Sequence, residues 1–263
     1  MRLISANVNG IRATLRRGGL DWLAAQQPDV VTLQEVRATS EQLSAALEQT
    51  PFDTWHIVDA PGPAAGRAGV AVLSRLPVVR RSAHLPGLPD EGRWVEADIR
   101  TESGDCVTVI STYVHTGEAG TPKQDDKYAL LDAATTRLAQ LRDGHVVLTG
   151  DLNVCHTQRD LKNWKGNRGK AGFLPDEQAR LSTWFDDGWV DVGRAYAGDV
   201  DGPYTWWSWR GKAFDNDAGW RIDYQIASPA LGALVKHAEV GRAATYAERW
   251  SDHAAVVVDY VLD

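Results

Sequence analysis

HVVLTGDLNV, residues 145–154, runs from a nearly continuous apolar stretch into Gly150, Asp151 and Asn153. A short apolar run bounded by turn residues reads as a β-strand covered on both faces. DVVTLQEV, residues 29–36, has the same pattern and ends in Glu35. The two strands lie roughly half a chain apart. Such an echo fits two similar sheet-and-helix halves packed face to face. Gly-Asp-x-Asn is also ordinary turn chemistry, so the pattern alone does not decide what the carboxylates do.

Working outward, RLISAN (2–7), AGVAVLSR (68–75), WVEADIR (94–100), CVTVISTYV (106–114), ALVKHAEV (233–240) and HAAVVVDYV (253–261) read as further strands. Residues 10–27 carry apolar side chains at helical spacing, as do residues 40–49, 127–143 and 175–187. Ser40 is the expected N-cap of the second helix, and Pro175 the expected first residue of the fourth. PGPAAGRAG, residues 61–69, reads as a loop. No stretch reads as an interdomain linker, so a single domain over residues 1–263 is expected.

With 43% hydrophobic and 24% charged residues, the chain matches ordinary soluble globular proteins. Its 263 residues suffice for a sizeable core. A net charge of -7 argues against non-specific coating of nucleic acid. It does not exclude an enzyme with a local basic surface. Cys106 and Cys155 are the only cysteines, and they have neither disulfide-framework nor metal-type spacing. The N-terminal residues lack an apolar signal-type core, and no apolar run is long enough to span a membrane. A cytoplasmic protein with no membrane association, acting as a monomer, is expected.

The polar residues that matter fall at strand ends. They are Asn7 and Asn9, Glu35, Tyr113, Asp151 and Asn153, Asp223, and the pair Asp252-His253. Strand ends in layered α/β folds converge on one rim, where sites are built. Carboxylates suit a hard divalent cation, and amides with a His suit phosphate oxygens. Each residue has an ordinary reading as a cap, turn or salt-bridge partner, but nine such readings would have to coincide. Asp223, flanked by Ile222 and Tyr224, needs a partner if buried, and His253 is a natural one.

The motifs NVNGIR, LQEV, STYVHTG, GDLNV, YTWWSWR, WRIDY and SDHAAV stand in the order and spacing of one family. The chain resembles, over essentially its whole length, the exonuclease III family of abasic-site (AP) endonucleases, within the endonuclease/exonuclease/phosphatase superfamily. The resemblance implies a four-layer α/β sandwich of two mixed, mainly antiparallel sheets flanked by helices. It implies a Mg²⁺-dependent DNA repair nuclease, with Mn²⁺ as a substitute ion. That enzyme would cut the phosphodiester 5′ to abasic sites, with 3′→5′ exonuclease and 3′-phosphatase or phosphodiesterase activity. Its partner would be double-stranded DNA with abasic sites or blocked 3′ ends. Glu35 matches the principal metal ligand, with Asn7, Asp252 and Asp151 beside the metal. Asp151 matches the group that positions the attacking water, and Asn153, His253 and Tyr113 match phosphate contacts. Asp223 matches the carboxylate that orients His253. Trp206, Trp220 and Ile222 match the pocket for a flipped-out baseless sugar.

The loop 156–171 holds Arg159, Lys162, Lys165, Arg168 and Lys170 against the single acid Asp160. It reads as a DNA-phosphate contact, the alternative being a solvated surface loop. His115 and Thr116 depart from the family's usual Pro and Asn. Two rivals stand beside this reading: a DNA-binding paralogue with little catalysis, and a superfamily phosphoesterase acting on a non-DNA substrate.

Overall fold

The computed structural model describes residues 1–64 and 66–262. In chain order the strands are β1 (Arg2–Asn7), β2 (Val30–Gln34), β3 (His56–Ala60), β4 (Val70–Ser74), β5 (Val78–Ser82) and β6 (Trp94–Arg100). They continue with β7 (Cys106–Tyr113), β8 (His145–Asp151), β9 (Val190–Asp191), β10 (Asp223–Ala227), β11 (Val235–Gly241) and β12 (Ala255–Tyr260). The helices are α1 (Ile11–Arg16), α2 (Gly19–Ala25), α3 (Ser40–Leu47), α4 (Pro122–Leu141), α5 (Trp164–Asn167), α6 (Pro175–Asp186), α7 (Val192–Ala197) and α8 (Pro229–Gly232).

Two six-stranded sheets form, ordered β11-β12-β1-β2-β4-β3 and β5-β6-β7-β8-β10-β9. Each contains one parallel pair, β1 with β2 and β7 with β8, and all other neighbours are antiparallel. The parallel pair occupies the same place in both sheets. The expected echo between residues 29–36 and 145–154 is therefore an architectural equivalence of β2 and β8.

Inward-facing side chains such as Leu3, Val30, Val72, Val95, Val109 and Val258 fill the space between the sheets. The outer face of the first sheet packs against α1–α3 through Leu20, Leu23, Leu43 and Leu47. The second sheet packs against α4 and α6 through Leu131, Leu138, Leu181 and Trp184. The result is the expected four layers.

Several elements differ from expectation. Residues 10–27 form two helices, because Gly18 takes a left-handed φ of 75° and turns the chain. Thr39, not Ser40, caps α3: its hydroxyl accepts from Gln42 N and Gln42 reaches back to Thr39 N. The helix expected from Lys127 begins five residues earlier, at Pro122. Strands β3 and β5 carried no recognised signal. Both are sheet edges, and the mostly solvent-facing β5 lacks an apolar alternation.

Candidate active site

Parallel pairing points the carboxyl ends of β1 and β2 toward one rim, and those of β7 and β8 toward the same rim. Asn7 ends β1, Glu35 follows β2, Tyr113 ends β7 and Asp151 ends β8. Antiparallel β10 starts where β8 stops, which sets Asp223 opposite Asp151. The turn before β12 brings in His253, bridged to Trp206, which is itself bridged to Trp220. Asn9, Glu35, Arg37 and Asn153 all have φ near +50°. Such left-handed non-glycine backbone persists where surrounding structure over-determines it, and it clusters at functional sites.

These elements enclose a cavity of about 260 Å³. Glu35, Tyr113, Asp151, Asn153 and His253 line it together with Trp206, Trp220 and Ile222. Asn7 lies beneath, fully buried, and its amide nitrogen donates to Glu35 Oε1 at 2.9 Å and Asp151 Oδ2 at 3.0 Å. Its Oδ1 accepts from Asn9 N at 3.0 Å, which fixes the amide's orientation. Asn7 thus presents a donor to the two carboxylates rather than an oxygen to a cation. Asp252 sits at the wall with one oxygen accepting from Asn9 Nδ2 (2.7 Å) and the other from Trp206 Nε1 (3.1 Å).

His253 Nδ1 faces both oxygens of Asp223, at 2.8 and 3.1 Å, while Nε2 lies 3.9 Å from Asp151 Oδ2. Burial disfavours a charged imidazole, but attraction and hydrogen bonding from Asp223, with the nearby Asp151 and Asp252, outweigh it. His253 therefore holds its proton well above the usual range. Thr205 Oγ1 donates to Asp223 Oδ2 at 2.6 Å. Asp151 is fully buried, and burial followed by repulsion from Asp223 raises its proton affinity. The Tyr113 hydroxyl is pushed up by burial and by Glu35 and Asp151, so it stays protonated.

Glu35, Asp151 and His253 offer possible metal-binding atoms within 4.8 Å of one another. Asp223 engages His253 Nδ1, and a hard divalent cation prefers oxygen ligands to an imidazole nitrogen. The donor set that fits a metal is therefore the two carboxylates, oxygen ligands suited to a hard divalent cation. The two buried carboxylates are drawn together on one amide, with Arg37 paired to Glu35 and the His253 imidazolium 3.9 Å from Asp151.

Asn153 is anchored through N–H to Asp151 Oδ1 (2.9 Å) and through Nδ2 to Val114 O (2.9 Å). The rings of Trp206 and Trp220 meet edge to face, with centroids 6.1 Å apart. None of Arg159, Lys162, Lys165, Arg168 and Lys170 lines this cavity. Arg159, Lys162 and Arg168 instead border a separate, open cleft of about 850 Å³. Arg159 pairs with Asp199, and Arg168 lies over the Trp164 ring. The loop's acid, Asp160, is turned inward onto Arg194 and Arg221, at 2.6 and 2.7 Å, so the loop's outward charge is basic. Thr116 lines the cavity, whereas His115 lines a neighbouring hollow. There burial, then Arg93, lower the His115 pKa to about 4.

Sequence reasoning missed Arg37, Arg93 and Thr205. Arg93 Nη1 donates to Tyr113 O at 3.1 Å, and its guanidinium lies over the Tyr113 ring. Arg37, two residues beyond Glu35, was open to notice as a counter-charge. Arg93 and Thr205 gave no signal, because their relation to the site is purely spatial.

A sandwich of two mixed sheets with paired carboxylates at one rim defines a class, and known proteins of similar sequence and structure fall in it. The model of the Endonuclease/Exonuclease/phosphatase family matches residues 4–253. An exodeoxyribonuclease of Bacillus subtilis is 32% identical over 91% of this chain and 93% of its own. The DNA repair nuclease APEX1 of Danio rerio is 31% identical over 88% of this chain and 74% of its own. A 3′ phosphatase, NExo from Neisseria, solved with a product DNA hairpin, superposes with TM-score 0.87 at 30% identity, each chain covered in full. The chain belongs to the endonuclease/exonuclease/phosphatase family, in its exonuclease III branch, and is an enzyme.

Proposed function

We propose that this enzyme is a DNA repair nuclease that hydrolyses the phosphodiester 5′ to an abasic site. Exonuclease action from 3′ ends and removal of 3′ phosphates are related activities of the same site. One domain spanning residues 1–263 carries all of them. A single observation supports the reading best: the Asn7–Glu35–Asp151 cluster and the Asp223–His253 pair face one cavity walled by Trp206, Trp220 and Ile222.

A phosphodiester is anionic and repels hydroxide. Mg²⁺, or Mn²⁺ in its place, held by Glu35 and Asp151 would neutralise charge on the phosphate oxygens. Asp151, at the cavity wall opposite Asp223, is the group to orient and deprotonate the attacking water. His253, kept protonated by Asp223, donates from Nε2 to a phosphate oxygen. The Tyr113 hydroxyl and the remaining amide hydrogen of Asn153 act as further donors. Asn7 holds Glu35 and Asp151 at their spacing, and Asp252 acts through Asn9 and the Trp206 indole. The aromatic pocket admits a baseless sugar, which is small and inexpensive to extrude, and excludes a full nucleotide. Products are a 3′-hydroxyl and a 5′-phosphate on the baseless sugar. Basic residues 159–170, in a loop beside the cavity, contact DNA phosphates.

The test is incision of a labelled duplex carrying one abasic analogue, with Mg²⁺, Mn²⁺ or EDTA. Metal-dependent cutting 5′ to the site, abolished by Asp151→Asn, supports the reading. Metal-independent binding without cutting would replace it with the non-catalytic paralogue.

A further inference from the structure

Lys127 and Glu177 form a fully buried ion pair outside the cavity, Nζ to Oε1 at 2.6 Å, with both side chains 0% exposed. The chemistry above does not use it. Burying two charges is expensive, and a well-packed apolar pair commonly stabilises a fold as well. What distinguishes this pair is where its other hydrogen bonds go.

Lys127 Nζ also donates to the carbonyls of Asn153 (2.8 Å) and Thr116 (3.2 Å). Glu177 Oε1 also accepts from Gly172 N at 3.1 Å, and Oε2 accepts from Leu174 N at 2.9 Å. Thr116, Asn153 and Gly172 are wall residues of the catalytic cavity, contributed by three separate segments. Two of them have left-handed backbone: Asn153 with φ of 52° and Gly172 with φ of 88°. Gly172 is also pressed against the pocket. A Cβ there would lie 2.9 Å from the Trp220 ring and 3.2 Å from Asn153 O. One ammonium and one carboxylate therefore tie the phosphate-facing turn, the YVHTG loop and the pocket wall to the amino-terminal turns of α4 and α6.

We infer that Lys127 and Glu177 are positioning residues for the cleavage reaction, setting the place of the Asn153 amide relative to the cavity through the Asn153 carbonyl. This rests on the phosphodiesterase reading above. Neither residue touches substrate. Their effect reaches the reacting phosphate through Asn153, and the same pair sets the Thr116 and Gly172 walls.

The experiment is a kinetic cycle on the abasic duplex with wild type, Lys127→Met/Glu177→Gln, Asn153→Ala and the triple variant. The double variant removes both charges while keeping volume and the acceptor for Gly172 N. Displacement of a transition-state contact by a fraction of an ångström predicts a kcat ~10–100-fold lower, with KM little changed. That loss should vanish once Asn153 is alanine, so the triple variant should match Asn153→Ala. Slow amide exchange at Gly172, whose acceptor oxygen the glutamine keeps, should persist in the double variant and separates this from general loosening. If the double variant loses its near-UV dichroism, the cycle is run on Lys127→Gln/Glu177→Gln, which also removes both charges and keeps an amide donor at position 127. Unchanged kcat, or the same loss with and without the Asn153 side chain, overturns the inference. Wild-type protein that incises nothing refutes the functional reading instead.

Discussion

In the proposed mechanism Asp223 is a buried carboxylate that governs chemistry it does not perform. Its oxygens are shared between His253 Nδ1 and Thr205 Oγ1, so its charge is spent on holding one imidazolium. Replacing it with asparagine keeps the shape and removes the reason for His253 to stay protonated. Asp223→Asn should lower kcat on the abasic duplex ~100-fold or more, the magnitude found when an oriented transition-state donor is lost. KM should change far less, and a parallel loss in both constants would argue that Asp223 serves binding instead. Most of these residues were legible in the sequence, because a polar residue at the end of an apolar strand is conspicuous. The orientation of Asn7 was not. An amide can present oxygen or nitrogen, and only the neighbouring Asn9 N–H decides which end meets the carboxylates.

At the level of elements, the loop 156–171 has an inner and an outer life. Its basic side chains made it visible in the sequence, where Asp160 looked like one surface acid among five cations. In the fold Asp160 is buried and receives Arg194 and Arg221, while Arg221 also binds Asp191. Burial alone would raise its pKa, but the two guanidinium groups outweigh burial and bring it down to about 2. The acid therefore binds a proton less readily in the folded chain than in the unfolded one. Its contribution is complete above the unfolded value near 4 and is lost as pH falls toward 2, an amount of about 2 kcal/mol. Urea unfolding across that window should show the loss. Asp160→Asn should be less stable at pH 7 by roughly 3 kcal/mol and should show a flatter acid limb. An acid limb identical to wild type would remove Asp160 from the account. Sequence patterns also failed at the helix over 10–27. Its apolar spacing continues through Arg17 and Gly18, but a left-handed glycine interrupts the helix there.

For the whole molecule, the layered plan was legible because β2 and β8 carry the same apolar run and terminal acid. What the sequence hid was how the halves register. Buried hydroxyls and amides bridge the sheets: Thr149 Oγ1 to Thr32 Oγ1 at 2.7 Å, Ser111 Oγ to Leu33 O at 3.0 Å, and Gln225 Nε2 to Leu3 O at 3.1 Å. In isolation each of these residues reads as an ordinary strand position. Their pairing depends on separations of up to 222 residues along the chain, which no local pattern reveals.

The equivalence of the two sheets means that Glu35 comes from one and Asp151 from the other, joined through a single amide. A cation held by both would act as a rivet through two plates, its affinity thermodynamically linked to the docking of the halves. Saturating Mg²⁺ at ~100 times its dissociation constant should add about 2.7 kcal/mol of stability, a rise of roughly 5–10 °C in Tm for a chain this size. EDTA should reverse the rise, and Glu35→Gln should abolish it. A shift that survives Glu35→Gln would mean that the ion grips only one plate.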